Sequence, residues 1–87
     1  MEGTRTDRIG ALARTLAGHD KGQIFVIIQE DGEYVFLADG KGRPVKEPKR
    51  KNKKHIQVIL KGLNHKEKLT DEEIRRWIRC YKRESQV

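Results

Sequence analysis

The segment QIFVIIQEDGEYVFLA, residues 23–38, has the pattern of a β-hairpin, and the rest of the predicted fold is built around it. Two runs of β-branched and aromatic residues, IFVII and YVFL, flank Asp31 and Gly32. Asp-Gly between apolar runs is a strong signal for a two-residue β-hairpin turn. Both runs are apolar at consecutive positions, so each strand has apolar side chains on both faces. Since a strand with one face in water usually alternates apolar and polar residues, we predict that another element covers part of the outer face.

Further short strands are predicted on both sides of this hairpin. IGALARTLAG, residues 9–18, fits a helix through Leu12 and Leu16 or a strand through its loose alternation. We favour the strand, because GHDKG, residues 18–22, is typical of a turn that leads into the hairpin. HIQVIL, residues 55–60, resumes a strand pattern. Four or five short strands with tight turns predict a mainly β fold, a small barrel or curled sheet.

The last third of the chain predicts one amphipathic helix. Thr70 is a suitable N-cap, and Glu73 completes a capping box. Four apolar side chains share one face at the spacing i, i+3, i+4, i+7, namely Ile74, Trp77, Ile78 and Tyr81. We predict that this face packs on the sheet. The alternative is that it docks a partner protein, with Trp77 and Tyr81 as anchors.

The positive charge of the chain is concentrated in one segment. The net charge is +7 over 87 residues, a length that suits one small domain. KGRPVKEPKRKNKKH, residues 41–55, contains eight Lys or Arg and one Glu, whereas the rest of the chain contains twelve of each sign. Pro44 and Pro48 stiffen the segment and so lower the entropy lost on binding. This pattern predicts a polyanionic partner; the alternative is a solvated loop.

The sequence AGHDKGQIFVIIQEDGEYVFLADGKGRPVKEPKRKNKKHIQ, residues 17–57, resembles the KOW-motif RNA-binding proteins. The resemblance covers roughly Ile9 to Ile56. It is most similar to short bacterial RNA-binding proteins related to SH3-like-barrel ribosomal proteins of the archaeal and eukaryotic large subunit. AGHDKGQIFVII fits the strand–turn–strand motif, with Gly22 in the place of its key glycine. The resemblance implies a five-stranded SH3-like barrel, and ribosomal or other structured RNA as the ligand.

These signals together predict the domain organisation. We expect a flexible N-terminus over residues 1–8 and an SH3-like barrel with the KOW motif over residues 9–62. A linker over residues 63–69 then leads to the helix, residues 70–84, packed on the barrel. The helix lies outside the resemblance.

The basic segment and the KOW turn form the predicted RNA interface. The main phosphate contacts are expected from Lys49, Arg50, Lys51, Lys53 and Lys54, flanked by Lys41, Arg43 and Lys46. Asn52 and His55 are candidates for base-edge hydrogen bonds, Lys21 extends the basic surface, and Gly22 has a structural role in the turn. The segment has no aromatic residue for base stacking, which favours structured RNA over single strands. Tyr34, beside a hairpin turn, is the remaining stacking candidate, since Phe25 and Phe36 are expected inside.

The sequence offers no catalytic or metal-binding pattern. His19, His55 and His65 are scattered, and Cys80 has no second cysteine beside it. We therefore expect no enzyme activity, no cofactor and no small-molecule substrate. No apolar run approaches the length of a membrane span, and we expect a cytoplasmic protein. Its expected role is ribosomal or ribosome-associated, with RNA and ribosomal proteins as neighbours. The alternatives are a protein-interaction module, a transcription-associated KOW domain and a DNA-binding protein.

Overall fold

The computed structural model describes residues 9–60 and 69–85 of the chain. The predicted flexible N-terminus and all but the last residue of the predicted linker lie outside this part. In chain order, the described elements are β1 (Leu12–Thr15), β2 (Ile24–Asp31), β3 (Tyr34–Ala38), β4 (Lys49–Asn52), a 3₁₀ turn (Lys53–His55), β5 (Ile56–Leu60) and α1 (Asp71–Ser85). The strands form one antiparallel sheet in the order β4-β3-β2-β1-β5. The predicted mainly β fold with a C-terminal helix is confirmed.

The sheet is curled, because its two edge strands are neighbours in sequence. In a flat sheet, β4 and β5 would lie about 19 Å apart, four strand spacings of about 4.8 Å. The four residue steps from Asn52 to Ile56 span at most about 14 Å. The two edges must therefore approach each other, and the Leu16 amide donates a hydrogen bond of 2.8 Å to the His55 carbonyl of the 3₁₀ turn. This arrangement is compatible with the predicted SH3-like barrel.

The hairpin between β2 and β3 turns one residue later than predicted. Asp31 is still paired, opposite Tyr34, so that Gly32 and Glu33 are the central turn residues. Gly32 has φ +62°, and no residue other than glycine has positive φ in the described part of the chain. A glycine with positive φ at the first central position is typical of a type II′ turn. Asp31 was predicted in the turn, but its pairing with Tyr34 makes it the last residue of β2.

Apolar side chains cover both faces of the curled sheet, as the two apolar runs predict. The inner cluster contains Ala11, Ala13, Phe25, Ile27, Val35 and Leu37, with Ile56 packed against it. The outer cluster contains Leu12, Val26, Ala38, Ile74 and Ile78, with Ile24, Ile28, Val45, Leu69, Trp77 and Tyr81 packed against it. Strand β2 contributes alternate residues to the two clusters, which is the two-residue period of a strand.

Helix α1 covers the outer face. Its first turn is capped by Thr70, whose hydroxyl accepts a hydrogen bond of 3.2 Å from the Glu73 amide. Ile74 is 0% exposed and Ile78 is 8% exposed. Both belong to the outer cluster, so the apolar face predicted for this helix lies against the sheet. Within the described part of the chain, no helix has the length and apolarity needed to cross a bilayer.

The connection between β3 and β4 fixes the start of α1. The Arg75 guanidinium donates a hydrogen bond of 2.7 Å to the Gly40 carbonyl, and the Val45 amide donates one of 2.7 Å to the Asp71 carboxylate. Gly40 has φ +81°, and a Cβ there would lie 2.5 Å from the Asp71 carbonyl oxygen. Because glycine alone fits this close approach without strain, Gly40 sets how near the helix comes to the connection.

Candidate nucleic-acid interface

The basic segment is largely part of the sheet. Residues 49–52 form β4, which pairs with β3 and places Lys51 opposite Val35 and Arg50 opposite Phe36. The segment was expected to lie between strands. Sequence reasoning missed β4 because it judged strands by their apolar side chains. An edge strand is held by its backbone hydrogen bonds, and lysine is a usual residue on such an edge.

Strand alternation sends neighbouring cations of β4 to opposite sides of the sheet. Lys51 lies across from Val35 of the inner cluster, and Lys49 lies across from Leu37 of the same cluster. Arg50 and Asn52 therefore lie on the outer side. The four consecutive basic or polar residues of β4 thus do not form one continuous surface.

Asp20, in the turn between β1 and β2, holds the two inward lysines of β4. The Nζ of Lys49 lies 3.1 Å from one Asp20 carboxylate oxygen, and the Nζ of Lys51 lies 3.2 Å from the other. Lys51 also donates a hydrogen bond of 3.1 Å to the Ala17 carbonyl, and its side chain is only 14% exposed. The Lys51 amine therefore joins β4 to the β1–β2 turn and has little surface left for a ligand.

The charge of Asp20 is stabilised by these two lysines. Burial raises the pKa of the Asp20 carboxyl, whereas hydrogen bonds and charge attraction from Lys49 and Lys51 lower it. The lowering effects are together the larger, so the pKa of Asp20 lies below its usual value. The carboxylate is therefore ionised at neutral pH and offsets the charge of one of the two lysines.

A third lysine of the predicted phosphate surface also has an acidic partner. The Nζ of Lys53 lies 2.8 Å from a carboxylate oxygen of Glu30 in β2. Lys49, Lys51 and Lys53, called the paired lysines below, are thus three of the five predicted main phosphate contacts. Each has part of its charge satisfied within the protein.

Asn52 has a structural role at the 3₁₀ turn. Its side-chain oxygen accepts a hydrogen bond of 2.9 Å from the Lys54 amide, which caps the turn. This bond engages the acceptor that a base-edge contact would use. His55, the other predicted base-edge residue, is exposed at the end of the same turn.

Arg50 lies over an aromatic ring on the outer side of the sheet. Its guanidinium carbon is 4.6 Å from the centroid of Tyr34, a cation–π geometry, and Tyr34 is 38% exposed. Phe36 is half-buried on the same side of β3 and belongs to neither apolar cluster. The prediction that Phe36 lies in the interior is therefore wrong. Alternation with the buried residues Val35 and Leu37 puts Phe36 on the opposite face.

The other cations of the segment are exposed and have no acidic partner among residues 9–60 and 69–85. These unpaired cations are Lys41, Arg43, Lys46, Arg50 and Lys54. Lys21 is also exposed, in the β1–β2 turn. The unpaired cations lie on the β3–β4 connection, the outer side of β4 and the 3₁₀ turn, and they provide the free positive charge of the segment.

The β1–β2 turn needs its glycine for backbone geometry. Gly22 has φ +87°, which agrees with the structural role predicted for it, and a Cβ there would meet no atom within 4 Å. The Gly22 amide donates a hydrogen bond of 2.8 Å to the Thr15 carbonyl, and the buried Thr15 hydroxyl bonds to the Asp20 carbonyl. These contacts hold Asp20 in position for Lys49 and Lys51.

The organising role of Asp20 was not predicted. Asp is a usual residue in turns, so its position in GHDKG, residues 18–22, gave no sign of a further role. Lys51 lies 31 positions further along the chain, so no local spacing links the two. The strand alternation of Lys49 and Lys51 was the available signal, and it becomes visible once β4 is recognised as a strand.

Comparisons with protein-family models and with curated proteins found no match for this chain. Among the described residues, no group of three or more His, Cys, Asp or Glu side chains is arranged to hold a metal ion. The KOW resemblance remains a prediction from the sequence.

Proposed function

We propose that this protein binds structured RNA, with ribosomal RNA as the expected class. The observation that supports this function best is the set of five unpaired cations, which are exposed within a segment of fourteen residues, 41–54. Lysine and arginine side chains that face solvent without a carboxylate partner are suited to neutralise phosphates. The paired lysines contribute less, because part of their charge is already satisfied.

Folded RNA suits this surface better than an unpaired strand. Proteins that bind single strands stack successive bases on exposed aromatic rings. Here Tyr34 is the candidate ring, and Arg50 already lies over it. A surface that offers cations and few rings recognises RNA through its phosphates and shape, so sequence selectivity should be low.

The cellular role follows from the resemblance to KOW-motif proteins. We propose a ribosomal or ribosome-associated role in translation, with ribosomal proteins as neighbours and a cytoplasmic location. The protein-docking alternative has less support, because Ile74 and Ile78 lie against the sheet and Trp77 and Tyr81 pack on the outer cluster.

A binding competition tests the proposed function. An RNA hairpin and an unstructured strand with the same number of phosphates are titrated with the protein at matched ionic strength. We expect the hairpin to bind more tightly. With about four to six phosphates neutralised, log K should fall with log salt at a slope of about −3 to −5. Tighter binding of the single strand would contradict shape recognition and would make Tyr34 the first stacking residue to mutate.

Crosslinking in cells, followed by sequencing of the bound RNA, tests the role. Crosslinks that concentrate in ribosomal RNA would support the ribosomal assignment. Recovery of a protein partner without RNA would contradict the proposed function and favour the interaction-module alternative.

A further inference from the structure

A second basic surface lies between α1 and the sheet. A groove of about 520 Å³ opens there, bordered by the β1–β2 turn, the start of the β3–β4 connection and one side of the helix. Its lining residues are Gly22, Gln23, Ile24, Asp39, Lys41, Arg75, Ile78, Arg79 and Lys82. Four of these nine residues are cationic and one is acidic.

The helical cations of the groove share one edge of α1. Arg75, Arg79 and Lys82 are spaced i, i+4, i+7, so their side chains lie above one another along the helix. The apolar face beside them is held on the sheet by Ile74 and Ile78, which are 0% and 8% exposed. Packing of the helix therefore fixes the direction in which its cationic edge points.

The positive charge of the groove is not matched within the described residues. Arg79 and Lys82 are exposed and have no acidic partner there. Arg75 donates to the Gly40 carbonyl at 2.7 Å, which uses part of its guanidinium. Asp39, the acidic residue of the lining, accepts hydrogen bonds of 2.9 Å from the Lys41 and Arg43 amides, so its carboxylate stabilises the loop.

The size and composition of the groove suit one stretch of sugar–phosphate backbone. Its volume is within the usual range of about 300 to 1,000 Å³ for sites that hold small ligands. Ile24 and Ile78 give it an apolar part that can contact a ribose, while the cations face the phosphates. Lys41 lines the groove and also belongs to the basic segment, so one RNA can contact both surfaces.

We propose that this groove binds the phosphate backbone of the same RNA, with Arg79, Lys82 and Lys41 as phosphate ligands. The inference rests on the proposed function and assigns the helix a binding role. Basic residues are usual near the C-terminus of a helix because they offset its dipole, and no binding role was predicted for them. Their spacing along one edge was the available signal.

The test compares two double variants that remove equal charge from the same helix. Arg79→Gln with Lys82→Gln alters the groove. Arg76→Gln with Arg83→Gln alters the exposed side, away from the lining residues. Each variant and the wild type are titrated with a fluorescently labelled RNA hairpin over a range of salt, and thermal melting checks the fold of each.

We expect the groove variant to bind roughly tenfold more weakly at about 0.1 M salt, with a salt slope shallower by about 1.4 to 1.8, while the control keeps the wild-type slope. Equal slopes for the groove variant and the wild type, with RNA binding intact, would overturn the groove and leave the proposed function standing. A wild type that does not bind the hairpin would overturn both.

A second measurement locates the contact without mutation. In amide NMR spectra of the wild type, the hairpin should shift the signals of Gly22, Gln23 and Lys41 together with residues 75–82. Shifts that spare these residues and cover the 3₁₀ turn would overturn the groove. Shifts of these residues by a polyglutamate peptide but not by RNA would identify an acidic protein segment as the ligand and overturn the proposal.

Discussion

Strand β4 and the groove edge of α1 are both rich in cations, but their positive charge is neutralised to different extents by acidic side chains. Two lysines of β4 share the carboxylate of Asp20, and Lys53 beyond its end binds Glu30. On the helix, Arg79 and Lys82 face a groove that contains one carboxylate, and that carboxylate is bound to backbone amides. The most basic stretch of sequence is thus partly neutralised in space, whereas a less conspicuous set of cations has no acidic partner among residues 9–60 and 69–85.

Charge along the chain is therefore a poor measure of the charge that is available to a ligand. A lysine with an internal carboxylate partner stabilises the fold, while a lysine without one remains free to release counterions from a nucleic acid. The two regions should therefore respond in opposite ways to mutation. Loss of a paired cation should lower stability, and loss of an unpaired cation should lower RNA affinity.

The largest effect is expected from breaking the packing that positions the helical cations. Ile74→Ala removes a fully buried side chain from the outer cluster, and we expect the free energy of unfolding to fall by about 2 to 5 kcal/mol. Arg76→Ala, on the exposed side of the same helix, should change it by no more than about 0.5 kcal/mol. Urea denaturation of both variants is the measurement. Equal midpoints for Ile74→Ala and the wild type would show that the helix is not anchored on the sheet.

A smaller effect separates a paired from an unpaired lysine within the basic segment. Lys51→Met removes the contacts with Ala17 and Asp20, and we expect a loss of stability of about 1 to 3 kcal/mol with little change in the salt slope of RNA binding. Lys54→Met should leave stability within about 0.5 kcal/mol and make the slope shallower by about 0.7 to 0.9.

Urea denaturation and salt titrations of these two variants provide the comparison. The opposite pattern, with stability lost in Lys54→Met and RNA affinity lost in Lys51→Met, would contradict the division into paired and unpaired cations.

The smallest effect is a pH dependence that originates in Asp20. The folded-state pKa of Asp20 is lowered, so its stabilising effect is fully present above the unfolded pKa of about 3.9 and is lost as pH falls through the folded value. Asp20→Asn should therefore be less stable than the wild type at neutral pH, and the gap should narrow as the pH falls below about 4. Denaturation midpoints measured from neutral to acidic pH check this. A gap that is constant over the whole range would show that the charge of Asp20 does not stabilise the fold.

Much of the fold was predictable from local sequence patterns. The apolar residues on both faces of IFVII indicated apolar clusters on both sides of the sheet and an element that covers the outer face. The spacing from Ile74 to Tyr81 predicted a helix whose apolar face is that element. The cap at Thr70 is a local signal and was found. Strand β4 was missed because backbone pairing with β3 leaves no mark on a run of basic side chains.

The candidate site was harder to predict because its charge balance depends on distant contacts. The pairing of Lys51 with Asp20 spans 31 residues and exists only after the sheet has curled. The groove likewise joins Gly22, Lys41 and Arg79 from three separate parts of the chain. No local pattern contains such contacts, whereas strand alternation and helix spacing show which side chains are able to take part.

One comparison of salt slopes shows whether RNA is held by the unpaired cations or by the paired lysines. The double variant Lys49→Gln with Lys53→Gln removes two paired cations, and Arg79→Gln with Lys82→Gln removes two unpaired ones, so the loss of formal charge is equal. The slope is the readout because it counts neutralised phosphates, whereas affinity also responds to net charge. We predict a slope shallower by about 1.4 to 1.8 for the unpaired set and close to the wild-type value for the paired set. A shallower slope for the paired set, with no change for the unpaired set, would show that the paired lysines hold the RNA and that the unpaired cations of the helix do not.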